Sequence, residues 1–192
     1  MGYGSGRDAL VWAAIEIVAE KGVQGLTHRS VAARAGVNHG LVGLHFGSID
    51  GLVAAATEVA VERAISETGL AGTSNFDESF ADLMLASVAK DPEIEMFQAQ
   101  MVLEAPRRPE VRLLIERLYD SYISTIENAL KSRGLDTSDG AHKELARVVF
   151  ATLNGLVLQF LAVGSAAPVR EAILELGRLL ERLFPDADPL KN

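Results

Sequence analysis

Apolar residues recur along this chain with the period of an α-helix almost throughout, and no stretch alternates in the two-residue rhythm of a strand. Leu10, Ala13, Ala14, Ile17 and Val18 follow i, i+3, i+4, i+7, i+8 spacing and predict a first helix with one apolar stripe. Glu20-Lys21-Gly22 stops it with a cation and a glycine. Trp12 lies opposite the stripe and reads as a surface or inter-helix filler. Two short helices follow. Thr27 is placed to cap the first by accepting from the Ser30 N–H, and Leu26 and Val31 form the flanking hydrophobic pair. Gly36-Val37 turns the chain. Asn38 is placed to cap the second short helix, which ends near His45, with Val37 and Val42 as its pair. A helix of about two turns is unstable alone, so its neighbours must hold it.

After Gly47-Ser48 a longer helix is expected, with Asp50 in its first turn, running through Leu52, Ala55, Ala56, Val59 and Arg63 to near Ser66. Gly69, Gly72 and Thr73-Ser74-Asn75 mark a loop. Further helices are expected over 77–89, 93–104, 110–133, 138–163 and 169–184, broken at Pro92, Pro106, Pro109, Gly134 and Pro168. The polar tail beyond reads as a frayed end. The pattern predicts an all-α fold.

Composition narrows the chemistry. The chain has 192 residues, of which 48% are hydrophobic and 23% charged, enough to bury a core. It has no cysteine, which excludes disulfides, thiol nucleophiles and Cys-ligated metals. Its apolar runs break short of the roughly 20 residues that cross a bilayer, so no membrane span is expected. The N-terminus lacks the apolar stretch of a secretory signal, so a cytoplasmic location is expected. No Ser/His/Asp spacing, phosphate loop or HExxH occurs, and no enzyme, cofactor or metal site is expected. His142 stands alone at a charged helix start and reads as solvated.

The net charge is −8, which argues against a nucleic-acid partner until its distribution is read. In residues 1–50 Arg7, Lys21, Arg29 and Arg34 balance Asp8, Glu16, Glu20 and Asp50, so the remainder carries the whole excess. Between Leu26 and Ile49 there is no acid, while Arg29, Arg34, His28, His39 and His45 all fall there. Chance is one reading of that window. The spacing Ala32, Gly36, Val42 gives another: a small residue for close approach, a glycine for a left-handed turn, and an apolar plug for a shared core. These are the needs of a helix-turn-helix, although a plain helical corner meets them too.

Residues 7–53 resemble the N-terminal domain of the TetR family of bacterial transcriptional regulators. The matching pieces are AAIEIVAEKG at 13–22, LTHRSVAARAGVNHGLV at 26–42, HF at 45–46, and Leu52. The resemblance implies a three-helix DNA-binding head over residues 1–48 and a helical-bundle domain over 49–192 that binds an effector and dimerises. It implies a homodimer on double-stranded operator DNA, with the second short helix in the major groove. Thr27, His28 and Arg29 would meet phosphate at a helix start. Asn38 and His39 would face base edges, and Gly40 would let the backbone approach. His45 would either touch a phosphate or pack. The sequence departs from the family at Gly43, where a tyrosine is usual, and at Ile49, where a lysine is usual. Losing both phosphate contacts lowers the salt slope by about two per subunit and shifts reliance to Arg29, Arg34 and Arg7.

For the body, the resemblance implies dimerisation through the last two long helices. Val148, Thr152, Leu156, Gln159, Phe160 and Val163, with Gly155 allowing close approach, and Leu176, Leu179, Leu180 and Leu183 are the expected interface; their own core is the alternative. Phe80, Met84, Phe97, Met101, Leu118, Tyr119, Tyr122, Phe150 and Asn154 are the expected lining of a site for a largely apolar small effector, or else plain core. Arg107 and Arg108 read either as greeting an anionic ligand or as a solvated loop. The overall expectation is a ligand-responsive regulator, most often a repressor. The alternative is a helical dimeric ligand-binding or assembly protein with weak or lost DNA binding.

Overall fold

The computed structural model describes residues 3–66, 76–132 and 141–183, with side chains omitted at 3–5, 132, 141 and 142. The expected loop at 67–75, the break at Gly134, the His142 side chain and the tail from Phe184 lie outside the described residues. Nine α-helices run in order among the described residues: α1 Tyr3–Lys21, α2 His28–Ala35, α3 Gly40–Phe46, α4 Ile49–Ser66, α5 Glu78–Lys90, α6 Pro92–Glu104, α7 Pro109–Ser132, α8 Ala141–Val163 and α9 Ala166–Leu183. One-turn 3₁₀ helices at Val23–Gly25 and Ala105–Arg107 join α1 to α2 and α6 to α7. No described residue is in a strand.

The chain divides into two compact units, one of residues 1–66 and 91–118, the other of 67–90 and 119–192. In the first, α1 packs on α2, α3, α4 and α6. The predicted stripe Leu10, Ala13, Ala14, Ile17, Val18 is buried, and so are Val11 and Ile15. α1 is therefore covered on more than the one face that the stripe predicts, with α6 supplying the cover that local sequence does not foresee. Trp12 is 37% exposed and lies under the Arg63 guanidinium of α4, 5.6 Å from the ring centroid, as an inter-helix filler does. Gln98 of α6 is buried and donates to the Ala60 carbonyl of α4 at 3.2 Å. Arg63 of α4 is ion-paired with Asp91 at the start of α6.

The second unit is built on one core cluster that includes Phe76, Phe80, Ile123, Ile126, Leu130, Val149, Leu153, Ile173 and Leu180. Asp77 accepts from the Phe80 N–H at 3.0 Å and so fixes the start of α5. Two expectations are corrected here. Pro168 does not open the last helix: α9 starts at Ala166, and Gly164, at φ +74°, ends α8. A proline tolerates any place in a first turn, whereas the left-handed residue has to be the glycine. Nor do all apolar runs fall short of a bilayer: Lys143–Val163 is long and apolar enough to cross one, and it is the one such single helix among the described residues. Only 22% of that window is buried, so α8 carries apolar surface beyond what its own unit covers.

Candidate functional site

The head is built from caps. Thr27 accepts from the Ser30 N–H at 3.0 Å while the Ser30 hydroxyl accepts from the Thr27 N–H at 2.9 Å, a reciprocal box that starts α2. The Ser30 hydroxyl also donates to the Gly25 carbonyl at 2.8 Å, anchoring the start to the preceding turn. Gly36, at φ +66°, ends α2, and Val37 donates back to the Ala32 carbonyl at 3.0 Å. Ala32 and Val42 are buried on the two sides of this turn, and Leu26 and Val31 are buried beneath it. The spacing of small residue, glycine and plug thus makes a helix-turn-helix.

Asn38 acts slightly differently from expectation. The helix starts at Gly40 with His39 in the cap position, and the Asn38 side-chain oxygen accepts from the Gly40 N–H at 2.9 Å. That oxygen is engaged in starting the helix, and the amide donors of Asn38 are left for a partner. Thr27, His28, Arg29, Asn38, His39 and Gly40 are all exposed on the head, and His45 is half-buried beside Phe46. The structure thus brings all seven of the expected DNA-contacting residues onto one compact unit.

The cations sort into two groups. Arg34 donates to Glu16 at 3.0 Å and to Glu20 at 2.9 and 2.7 Å, which ties α2 to α1. Its hydrogen bonds with Glu20 and then Glu16 hold the guanidinium further into its charged form, and Arg34 in turn holds Glu20 below the usual carboxylate range. Arg34 is thus engaged with two carboxylates of α1 at the surface of the head, a pairing that the expectation of a role at DNA does not include. Arg7 lies over the Phe46 ring at 5.3 Å, beside the end of α3. Arg107 is exposed and reaches Glu104 at 3.7 Å. Arg108 is mostly buried and bridges Glu104 of α6, at 3.2 Å, to Asp50 in the first turn of α4. It ties the end of α6 to the start of α4 within the first unit.

The expected effector-lining residues fall in different units. Phe97, Met101 and Leu118 are buried in the first, while Phe80, Met84, Tyr119, Tyr122, Phe150 and Asn154 belong to the second. Within that second group Phe150 sits edge-on to Tyr119 at 5.0 Å and stacked on Tyr122 at 5.6 Å. Burial pushes the Tyr119 hydroxyl above its ordinary pKa.

The expected dimer stripes resolve into two faces. Leu156 and Leu180 are buried in their own unit's core, with Phe160 and Leu176 packed partly against it. Val148, Thr152, Gln159, Val163, Leu179 and Leu183 are exposed. Leu158 joins them at 44% exposure, a position that the helical spacing of the stripe leaves out. Gly155 has open space where a Cβ would stand. A further exposed apolar residue, Leu44 of α3, is not among the expected site residues, although its place four residues after Gly40 and opposite Val42 marks it as outward.

A capped helix-turn-helix on a chain whose described elements are all helices defines a class, the DNA-binding regulators with an N-terminal reading head. The sequence pattern described as "Bacterial regulatory proteins, tetR family" matches residues 10–56, and that described as "Tetracyclin repressor-like, C-terminal domain" matches residues 76–185. The chain belongs to the TetR family of transcriptional regulators, which are DNA-binding transcription factors and not enzymes. No curated protein matches it. Among solved structures it is similar to a transcriptional regulator of Rhodococcus sp. Rha1, with 19% identity, TM-score 0.74, and 92% of this chain and 96% of that one covered. It is similar to a TetR transcription regulator of Haloarcula marismortui, with 15% identity, TM-score 0.73, and 92% and 98% covered. It is also similar to the multidrug-binding protein EbrR in complex with proflavin, with 25% identity, TM-score 0.60, and 89% and 99% covered.

Proposed function

We propose that this chain is a cytoplasmic, ligand-responsive transcriptional repressor that binds operator DNA as a homodimer and is released by a small, largely apolar effector. The observation that carries the reading is the head: an acid-free segment folded into a capped helix-turn-helix with His28, Arg29 and His39 exposed on it. Its functional division is a DNA-binding part over residues 1–48 and an effector-binding and dimerising part over 49–192. Thr27, His28 and Arg29 hold phosphate at the start of α2, and His39 offers an imidazole N–H to guanine N7 or O6. Asn38 contributes through its amide donors, Gly40 lets the backbone approach, and His45 flanks the phosphates.

The exposed apolar face of α8 and α9, with Val148, Leu158, Val163, Leu179 and Leu183, supports dimerisation through a four-helix contact. The cluster of Phe80, Met84, Tyr119 and Phe150, with Tyr122 stacked on Phe150, supports an effector with an apolar body and one or two polar anchors, as does the likeness to a multidrug-binding protein, and Asn154 of the same unit is a further candidate for an anchor. Phe97, Met101 and Leu118 contribute as core of the first unit. An effector that prefers the released state 100-fold shifts the equilibrium by about 2.7 kcal/mol.

A second reading, a dimeric ligand-binding or assembly protein without operator binding, draws on Gly43, Ile49 and the carboxylates that engage Arg34. A gel shift against the DNA flanking the protein's own gene, at two salt concentrations, separates the two. On the first reading the complex forms and weakens with salt, Arg29→Ala weakens binding to all duplexes alike, and His39→Ala relaxes base preference by about tenfold. No complex even in dilute buffer selects the second reading.

A further inference from the structure

Within α3, the helix that the proposed function lays in the major groove, only Gly40, Gly43 and Leu44 are exposed. Val42 is fully buried, and Leu41, His45 and Phe46 are half-buried. At 100° per residue Gly40 and Leu44 stand one turn apart on the side away from Val42, and Gly43 flanks them. A Cβ at Gly43 would meet nothing within 4 Å, and one at Gly40 would meet only the Asn38 side chain at 3.4 Å. The outward face of this helix is thus bare backbone with one side chain on it, and that side chain is apolar and 67% exposed.

Leu44 buries little of its side chain within the head, so its apolar surface is left for a partner. Hydrogen bonds to base edges and phosphates are closed to it. One chemical group in the major groove suits it, the C5-methyl of thymine. The surroundings point to DNA and not to a protein partner: Arg29, His28 and His39 lie exposed in the same acid-free segment, and Leu44 continues the helix-turn-helix surface. The two glycines matter to the same contact. Without side chains at 40 and 43 the helix axis can approach the base pairs closely enough for a side chain of leucine length to touch a methyl group.

We infer that Leu44 is a specificity-determining residue that reads a thymine methyl in each half-site, through a close approach that Gly40 and Gly43 permit. This rests on the DNA-binding reading above and adds a base to it. In that reading His39 selects by hydrogen bonding, whereas Leu44 selects by apolar contact.

The test uses the full-length protein and a pool of random-sequence duplexes, from which bound DNA is selected and sequenced. Each thymine of the selected site is then replaced singly by deoxyuridine, which removes the methyl and leaves every hydrogen-bonding group in place. For the wild-type chain, one thymine per half-site should cost about fourfold in affinity, and about fifteenfold when both half-sites are changed. Leu44→Ala, at an exposed position outside the core, should melt with the wild type and bind thymine and deoxyuridine duplexes equally. If a site is selected but no deoxyuridine weakens the wild type, or if Leu44→Ala keeps the same penalty at the same thymine, the inference is overturned and the regulator reading stands. If no duplex is selected at all, the regulator reading fails and this inference fails with it.

Discussion

Glu95 is the residue whose chemistry conflicts most with its place. It sits partly buried on α6, where burial, and then the nearby Asp91, push its carboxyl above the ordinary carboxylate range. Asp91 is itself matched by Arg63. A carboxyl with a raised native pKa keeps its proton in the fold at a pH where the unfolded chain has released it. Its share of stability is therefore fullest below the unfolded value of about 4.3 and declines as pH rises through the native one. Glu95→Gln should raise the melting temperature at pH 7 and leave it nearly unchanged at pH 4. A variant that melts lower than wild type at pH 7 would show that the carboxylate has a partner worth more than its burial costs. Gly51 makes the opposite case, where the missing side chain is the point. An added Cβ would collide with the Phe46 carbonyl oxygen, at the place where α4 starts against the end of α3. Gly51→Ala should destabilise the head by about 1–3 kcal/mol in denaturant melts, despite alanine's better helix propensity.

At the scale of elements, what could be read beforehand was what local chemistry decides. The stripe of α1, the Thr27 cap, the Gly36 turn and the Val42 plug are set by residues within a few positions of one another, and each stands as expected, the return bond to the Ser30 hydroxyl being the addition. The departures arise from long-range packing. Nothing near Val11 or Ile15 announces that α6, some eighty positions later, covers a second side of α1. The stripe on α8 mixes two faces, because Leu156 and Val148 are both apolar and only the packing of the second unit's core shows which is covered. Arg34 and Arg108 were legible as cations but not as paired ones, since Glu16, Glu20 and Asp50 reach them across helices. Leu44 is a different case: its place opposite Val42 marks it as outward, its apolar character reads first as core, and its exposure decides between the two.

For the whole molecule, α8 and α9 carry five of the ten large hydrophobic residues that stand exposed among the described ones. Val148 is 60% exposed, Val163 76% and Leu183 65%, on helices already packed on each other. Under the homodimer reading, Val148→Glu should shift sedimentation from dimer to monomer while the helical circular dichroism signal persists. Because a two-fold operator needs both heads on one particle, the same change should weaken operator binding at least tenfold. A dimer that survives Val148→Glu and Leu179→Glu together would place the subunit contact elsewhere.

The two glycines on the outer side of α3 have a consequence for how such a reader could change its target. Neither has a positive φ, so any L-residue other than proline could occupy either position without backbone strain. Neither supports the interior, and the neighbouring leucine does not either. Target choice and folding are thus written on different residues of one seven-residue helix. A lineage carrying this head could try new side chains at two vacant positions and retain a folded protein at every step, an unusually smooth route from one set of controlled genes to another.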